Sequence, residues 1–348
     1  MSSSVLINGR AVGKGLPAYV ILEAGVNFDD MDGARKLIDS AIDIGADSIK
    51  FQTFHAHTTV VKGATLEDGR GTVDQYAEFL ESEEKQGEDF QADIFKYCKK
   101  RNITAFSTPS HPDDVDMLEK IADPPAYKLG SDDLTNIPFL KYVARLKKPM
   151  IISSGVSYIS EIDSAIRAIR DEGNDNIILL HCVSQYPADP VDMNLRTMQT
   201  LINTFDLPIG LSDHTLTTSI PLAAVAMGAC VIEKHYTLDR EVPGPDNFLS
   251  MVPDEMRTII KGAREIESAM GTPYKRIINA EKDMRPVFKK SIYAVNNIKK
   301  GEVITRDNVD ILRPLGGLEP NLLPNLYGMR VNKEVLSGDP ITWECLKG

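Results

Sequence analysis

The chain is 348 residues long, 42% hydrophobic and 26% charged, with a formal net charge of -11. That length buries one large core and leaves material for a small second domain, while the acidic balance excludes a general nucleic-acid or anionic-membrane surface, either of which needs a basic face. No apolar run reaches the length of a membrane span, Met1-Ser-Ser-Ser has no secretory-signal character, and Cys98, Cys182, Cys230 and Cys345 show no CxxC spacing, so a cytoplasmic protein with reduced thiols is expected.

An amino-terminal segment with two glycines suits a small hairpin. Ala18 to Glu23 then reads as a buried strand ended by a carboxylate. From Met31 to Ile44 the apolar residues fall at helical spacing, and Gly45 supplies the stop. The next strand, Ser48 to Gln52, ends with Lys50 and Gln52. The alternation recurs with strands at Ile103 to Ser107, Tyr127 to Gly130, Met150 to Ser153, Ile177 to Cys182, Ile209 to Ser212 and Val231 to Lys234. Helical patterns such as 90–100, 137–146, 159–170 and 253–270 separate them, and the apolar stretch Ser219 to Gly228 suits a crossover helix between the last two strands. Eight strand-helix units in about 250 residues predict an α/β fold, a (β/α)8 TIM barrel over residues 1–270. A doubly wound sheet fits less well, because no Gly-rich dinucleotide fingerprint follows the first strand.

Phe54 to Gln86 interrupts this rhythm with a long polar stretch, readable as a lid or binding loop at the active face or, equally, as a solvated insertion. Residues 271–287 read as a linker and 288–348 as a small β-rich module. In that module Ile298-Lys-Lys-Gly-Glu-Val-Ile-Thr305 resembles Val335-Leu-Ser-Gly-Asp-Pro-Ile-Thr342, which suggests pseudo-symmetry.

Side chains at the carboxyl ends of barrel strands share one mouth. The set gathered there is Glu23, Lys50, Gln52, Ser107, Thr108, Lys128, Ser131, Asp133, Ser153, Ser154, Ser184, Tyr186, Ser212, Asp213, His214, Glu233, Lys234 and His235. Lys50 and Lys128, with the hydroxyls of Thr108, Ser131 and Ser184, suit a phosphate or carboxylate; pairing with core acids is the competing reading. His214 and His235, on neighbouring strands, could share one divalent metal. Glu23 and Glu233 are candidates for acid-base work or for supporting the metal. The residues alone leave open a metal-assisted reaction on a phosphorylated anion and a Schiff-base aldolase using Lys50, Lys128 or Lys234.

Further motifs stand in order along the chain: Glu23 with Asn27, Lys50-Phe-Gln-Thr53, Phe106-Ser-Thr-Pro109, Ala126-Tyr-Lys-Leu-Gly-Ser131, Ile152-Ser-Ser-Gly155, His181-Cys-Val-Ser-Gln-Tyr-Pro187, Gly210-Leu-Ser-Asp-His-Thr215, Glu233-Lys-His235 and Pro243-Gly-Pro-Asp246. On these the chain resembles the sialic acid synthases, NeuB-like enzymes that make nine-carbon nonulosonic acids. Its tail, from Lys289-Lys-Ser291 through Arg313-Pro to Gly338, resembles their SAF (antifreeze-like) domain. The resemblance implies condensation of phosphoenolpyruvate with an N-acetylated mannosamine-type sugar aldehyde, with carbon-oxygen cleavage releasing phosphate. It implies His214 and His235 as ligands of a divalent metal, Mn first and Mg or Co as alternatives. It places Lys50, Thr108, Lys128, Ser131, Ser184 and Ser212 on phosphoenolpyruvate, Gln52, Tyr186 and Asp246 on the sugar, and Glu23 and Glu233 in proton transfer. It further implies a domain-swapped homodimer in which Arg313 of one protomer reaches the other's sugar site. The chain departs from the family pattern at Phe28, where a histidine is usual, in Asn247-Phe-Leu-Ser250, and at Lys289-Lys. These departures bear on the sugar, N-acetylmannosamine or a 6-deoxy diacetamido hexose, whose choice is expected to be read around Asp68-Gly-Arg-Gly71. They also motivate the alternative of a non-catalytic carbohydrate-binding relative.

Overall fold

In the computed structural model the structure describes residues 4–68 and 70–346. Met1 to Ser3, Gly69 of the Gly69-Arg-Gly71 turn and the last two residues of the carboxyl-terminal module lie outside the described residues. The chain divides into two compact units, 1–271 and 272–348.

The first unit opens with a hairpin, β1 (Ser4–Ile7) and β2 (Arg10–Gly13), paired antiparallel. Strands and helices then alternate: β3 (Tyr19–Gly25), α1 (Met31–Asp43), β4 (Ser48–Thr53), and, within the insertion, α2 (Ala56–Thr59), β5 (Thr65–Asp68), β6 (Gly71–Asp74) and α3 (Gln75–Lys85). They continue as α4 (Glu88–Arg101), β7 (Thr104–Pro109), α5 (Pro112–Ile121), β8 (Tyr127–Leu129), α6 (Ile137–Ala144), β9 (Met150–Ser153) and α7 (Ile159–Asp171). The last turns of the barrel are β10 (Ile177–Cys182), α8 (Arg196–Thr204), β11 (Ile209–Asp213), α9 (Ser219–Ala226), β12 (Val231–His235) and α10 (Pro253–Met270). Among the described residues, β3, β4, β7, β8, β9, β10, β11 and β12 close into one barrel, all pairs parallel, so the TIM-barrel prediction holds. No described helix is long and apolar enough to cross a membrane.

Alternation along each strand explains where the core and the mouth lie. Outward residues such as Val20, Leu22, Ile49, Leu129, Ile152 and Leu179 pack against the helices' apolar stripes, among them Leu37 and Ile38 of α1 and Met256 and Ile259 of α10. Inward residues Tyr19, Ile21, Phe106, Ile151, Ile178, Leu180 and Val231 fill the barrel, and Val5, Ile7 and Val12 of the hairpin pack against them. Gly210 is required here: a Cβ would lie 2.6 Å from Val231 and 2.7 Å from Leu180. Two residues further along each strand the inward position changes character. Ile21 gives way to Glu23, Phe106 to Thr108, Ala126 to Lys128, Ile151 to Ser153, Leu180 to Cys182, Gly210 to Ser212 and Val231 to Glu233.

The insertion, readable from sequence as a lid or binding loop or as a solvated insertion, carries helices and a strand pair of its own. Its helix α3 buries none of its residues, which is why no apolar period marks it. It is held instead by the Asp74 cap on Ala77 N (3.2 Å), the Phe54–Phe79 edge contact (ring centroids 4.7 Å) and the Arg70–Glu78 ion pair.

The second unit takes in the stretch read as a linker, which carries α11 (Met284–Phe288), and continues with β13 (Ser291–Ala294), β14 (Val309–Leu312) and α12 (Leu323–Leu326). Strands β13 and β14 pair antiparallel. The repeat is real in three dimensions, since Ile298 and Val335, its corresponding first residues, exchange backbone hydrogen bonds of 2.8 and 2.9 Å. Ile292, Ile298, Ile304, Val335 and Ile341 form this unit's own core.

Candidate active site

The carboxyl ends of the strands and the insertion enclose a cavity of about 580 Å³. It is lined by Glu23, Lys50, Gln52, Thr108, Lys128, Ser131, Ser184, Tyr186, Ser212, His214, Glu233, His235 and Asp246, so the fold brings together every barrel residue singled out for phosphoenolpyruvate, sugar, metal or proton transfer. Arg313 belongs to the second unit, where its guanidinium lies 4.9 Å over the Phe288 ring. Five residues of the wider strand-end set turn elsewhere. Ser107 bonds Thr53 Oγ1 (2.7 Å), Ser154 donates to the Leu180 carbonyl (2.8 Å) and Asp133 accepts from Asn136 (2.9 Å). Asp213 and Lys234 pair with each other at 3.0 Å behind the mouth, because each is one residue out of phase with the inward histidines. Lys234 is thereby removed from the Schiff-base candidates.

Two carboxylate-lysine pairs organise the floor. Lys50, from β4, pairs with Glu23 on adjacent β3 and donates to Thr108 Oγ1 (2.8 Å). Lys128 donates to Ser153 Oγ (2.7 Å) and the Leu129 carbonyl (3.0 Å) and lies 3.6 Å from Glu233, which accepts from Ser212 at 2.9 Å. Both lysines therefore pair with buried acids, as the competing reading allowed, while still lining the cavity. Burial is the largest influence on Glu23 and pushes its carboxyl up, against the opposing charges of Lys50 and His235. Burial also works against ionised Glu233, but Lys128, Lys50 and the Ser212 hydroxyl hold it below the usual range. For Lys50 burial favours the neutral amine, yet Glu23 and Glu233 more than offset it and keep the ammonium.

Around Gly25, at φ +54° where the β3–β4 register shifts, the sugar-side residues converge. A Cβ there would lie 3.1 Å from Asp246 Oδ2, 3.2 Å from Glu23 Oε1 and 3.4 Å from Gln52 Nε2. Gln52 Nε2 donates to Glu23 at 3.0 Å. Across the cavity Gly155 N donates to Ser131 Oγ (3.0 Å), and a Cβ on Gly155 would collide with the Ser131 and Ser184 hydroxyls. That glycine and Cys182 were not singled out from the sequence, although both stand inside quoted motifs. Burial opposes ionisation of the Cys182 thiol, but His214 and Ser131 bring it down to about 7.

The imidazoles of His214 and His235 lie with ring centroids 5.4 Å apart, and Tyr186 packs 4.2 Å from His214. His214 Nδ1 is held by the Val183 carbonyl (2.8 Å), which fixes the ring, and the Cys182 thiol is a second hydrogen-bond partner of this imidazole. His235 Nδ1 lies 3.4 Å from Asp246 Oδ2, too far for a good hydrogen bond, and like Glu233 Oε2 is buried without one. Among the described residues five carboxylates, Glu23, Glu78, Asp132, Glu233 and Asp246, line the cavity with three cations, Lys50, Arg70 and Lys128. A multiply charged anion entering this surplus needs further positive charge. Among the described residues no group of three or more His, Cys, Asp or Glu stands close enough together to hold a metal ion. The donors suit an open site of two imidazoles, with remaining positions for water or substrate.

Phe28, which replaces the histidine usual in the related pattern, is 7% exposed and packs 6.0 Å from both Phe51 and Phe90. It is a core side chain and is not among the residues lining the cavity. Asn27 beside it bonds the Tyr236 carbonyl and Ser250, tying the β3 end to the loop after β12.

Residues 37–275 match the NeuB family and residues 289–347 the SAF domain. The chain is 36% identical over 357 residues, covering 100% of both chains, to the N,N'-diacetyllegionaminic acid synthase of Legionella pneumophila. It is 39% identical over 307 residues, 86% of this chain and 91% of the relative, to the enzyme of the same name from Campylobacter jejuni. Its structure is similar, with a TM-score of 0.73 over 82% of this chain and 95% of the other, to the citrate complex of an N-acetylneuraminic acid (sialic acid) synthetase from Leptospira borgpetersenii, at 32% identity. A barrel with charged strand ends, matched along most of its length to one family and followed by a matched SAF domain, leaves one assignment: the chain is a member of the NeuB family of nonulosonic acid synthases.

Proposed function

We propose that this enzyme condenses phosphoenolpyruvate with an N-acetylated mannosamine-type sugar aldehyde, acting in the cytoplasm as a divalent-metal-dependent homodimer. The observation that carries the reading is that one cavity is lined both by the hydroxyls of Ser131 and Ser184 at Gly155, with Lys128 on Ser153, and by the cluster of Glu23, Gln52 and Asp246 around Gly25, together with His214, His235 and Glu233. Lys50, Lys128, Thr108, Ser131, Ser184 and Ser212 would hold the phosphate and carboxylate by charge-assisted hydrogen bonds. C3 of phosphoenolpyruvate attacks the aldehyde carbon, so the aldehyde oxygen gains a proton. Water adds at C2 and loses one proton; the C2 hydroxyl so formed then loses its other proton as C2=O forms and the C2–O bond to phosphate breaks, its electron pair and that proton leaving with phosphate. Glu23, beside Gln52 and Asp246, is placed to serve the aldehyde oxygen. Glu233, beside Lys128 and Ser212, is placed to take the proton from water. A divalent ion on His214 and His235, Mn first and Mg or Co as alternatives, would supply Lewis-acid polarisation of the aldehyde. Four cysteines free of disulfides among the described residues fit a reducing compartment.

The Schiff-base reading finds less support, because Lys50 is held as the ammonium and Lys234 is outside the mouth. A purely binding relative would not require two buried lysines and two buried glutamates on its floor. The test is phosphate release by metal-stripped protein, with and without Mn, from phosphoenolpyruvate carrying ¹⁸O in the bridging position. Release that needs sugar and metal, with the label in phosphate, is expected. Label left in the keto acid, or borohydride trapping of a lysine adduct, would refute the mechanism. For the dimer, the Arg313→Ala and His214→Ala proteins are each expected to be impaired but to regain activity when co-refolded, since one mixed site is then intact. Failure of complementation counts against the exchanged domain.

A further inference from the structure

The insertion forms the outer wall of the cavity, with Thr59, Val60, Leu66 and Phe79 among its lining residues. It leaves the barrel at the end of β4, where Thr53 lies in register with Pro109 of β7, so its first turn runs beside the loop that joins β7 to α5. His55 ties the two together. Its Nδ1 lies 2.7 Å from Asp114 Oδ1, in the first turn of α5, and Asp114 Oδ2 accepts from Ser110 N at 3.1 Å. The His55 carbonyl accepts from the Thr58 and Thr59 hydroxyls at 3.0 and 2.9 Å. The imidazole makes no cap for α2, the helix it precedes, and is spent on the neighbouring element instead. Asp114 is fully buried, and burial pushes its carboxyl up against the hydrogen bonds from His55 and Ser110 N.

Resting on the synthase reading, we infer that His55 and Asp114 are positioning residues of the reaction: the pair holds the β7–α5 loop, and with it Thr108, in the geometry that receives phosphoenolpyruvate, while seating Thr59 and Val60 in the outer wall. Neither His55 nor Asp114 lines the cavity, whereas Thr108, Ser110, Thr59 and Val60 all do, so the pair acts on the site through them. Thr108 stands two residues before Ser110, and its Oγ1 accepts from Lys50 at 2.8 Å. A buried carboxylate holds an amide firmly only while its other oxygen is also met by a donor. Loss of the imidazole therefore loosens the Ser110 amide, and Thr108 meets the anion in a wider range of geometries.

The experiment measures phosphate release from phosphoenolpyruvate with Mn in the wild type, His55→Leu, His55→Asn and Asp114→Asn, offering N-acetylmannosamine and the 6-deoxy diacetamido hexoses and following whichever sugar the wild type uses. Leucine cannot donate to Asp114, whereas the asparagine amide can stand where imidazole Nδ1 does. His55→Leu is expected to raise the KM for phosphoenolpyruvate about 10-fold, the worth of one charge-assisted hydrogen bond, with kcat within about 3-fold of the wild type. His55→Asn is expected to stay within about 2-fold of the wild-type KM. His55 is half-buried, so the leucine variant is expected to keep a native circular dichroism spectrum. Asp114→Asn has the shape of the native residue with one acceptor in place of two, and carries the test should the leucine variant not fold; its KM for phosphoenolpyruvate is expected to rise about 5-fold. A wild-type KM in folded His55→Leu or in Asp114→Asn, or an equal loss in the leucine and asparagine variants of His55, overturns the inference and leaves the synthase reading standing. A folded wild type that releases phosphate with none of these sugars overturns both.

Discussion

In the floor of the mouth Lys50 and Lys128 are 4% and 3% exposed, and each stands beside a glutamate supplied by another barrel strand. In the outer wall Arg70 is partnered by Glu78 only eight residues away, on a hairpin and helix outside the barrel sheet. The floor's charges are thus part of what closes the barrel, and removing one strands its partner in a low-dielectric interior. The wall's charges are local and partly solvated, so they can change without unfolding anything. Chemistry placed on the first kind of support is hard to alter, and selectivity placed on the second kind is easy to alter.

Mutations can break or sharpen this contrast. The largest effect is expected at the histidines: His214→Ala or His235→Ala should lower turnover by about 1,000-fold or more, as loss of Lewis-acid assistance demands. Mn binding followed by electron paramagnetic resonance should weaken in parallel while the circular dichroism spectrum stays native. Full activity of either variant without metal would remove the metal from the mechanism.

Next is the floor's electrostatic debt. Lys50→Met should cost about 3 kcal/mol of stability by leaving Glu23 buried and unpaired, and Lys50→Met/Glu23→Gln should recover most of it. Denaturant midpoints decide this; an unshifted single variant would show that Glu23 is carried neutral without help. By contrast Arg70→Ala should move the midpoint by less than about 1 kcal/mol. Gly155→Ala forces a methyl onto the Ser131 and Ser184 hydroxyls. It should raise the KM for phosphoenolpyruvate about 10-fold, in keeping with the strain of overpacking, with a smaller change for the sugar.

Asp133, which does not line the cavity, gives an effect that depends on pH. Burial, only partly offset by the Asn136 hydrogen bond, lifts its pKa from 3.8 to about 6. A folded-state pKa above the unfolded one means that the fold binds the extra proton, so this residue's contribution is favourable below about pH 4 and is lost as pH rises through about 6. Asp133→Asn should therefore gain up to about 3 kcal/mol at pH 7.5 and little at pH 4. Thermal melts at the two pH values check the sign.

The sequence by itself determined the barrel, because each strand is written as a short apolar run and each helix as a 3.6-residue stripe, both local signals. It also marked the active rim, since an inward position that turns from Ile21 to Glu23, or from Val231 to Glu233, is visible along one strand. Taking every side chain at a strand's carboxyl end into one mouth includes Asp213 and Lys234, which by the strand period of two fall outside it and pair with each other. Tertiary structure alone decided which lysine meets which glutamate, that Gly155 has no room for a methyl, and that Arg70 reaches Phe248 across 178 positions of sequence. Those facts depend on closure of the sheet and on how the insertion folds back, and neither leaves a periodic mark in the chain. The insertion was hardest to read for the same reason: α3 has no buried residue, and order that comes from caps, ring edges and ion pairs writes no hydrophobic pattern.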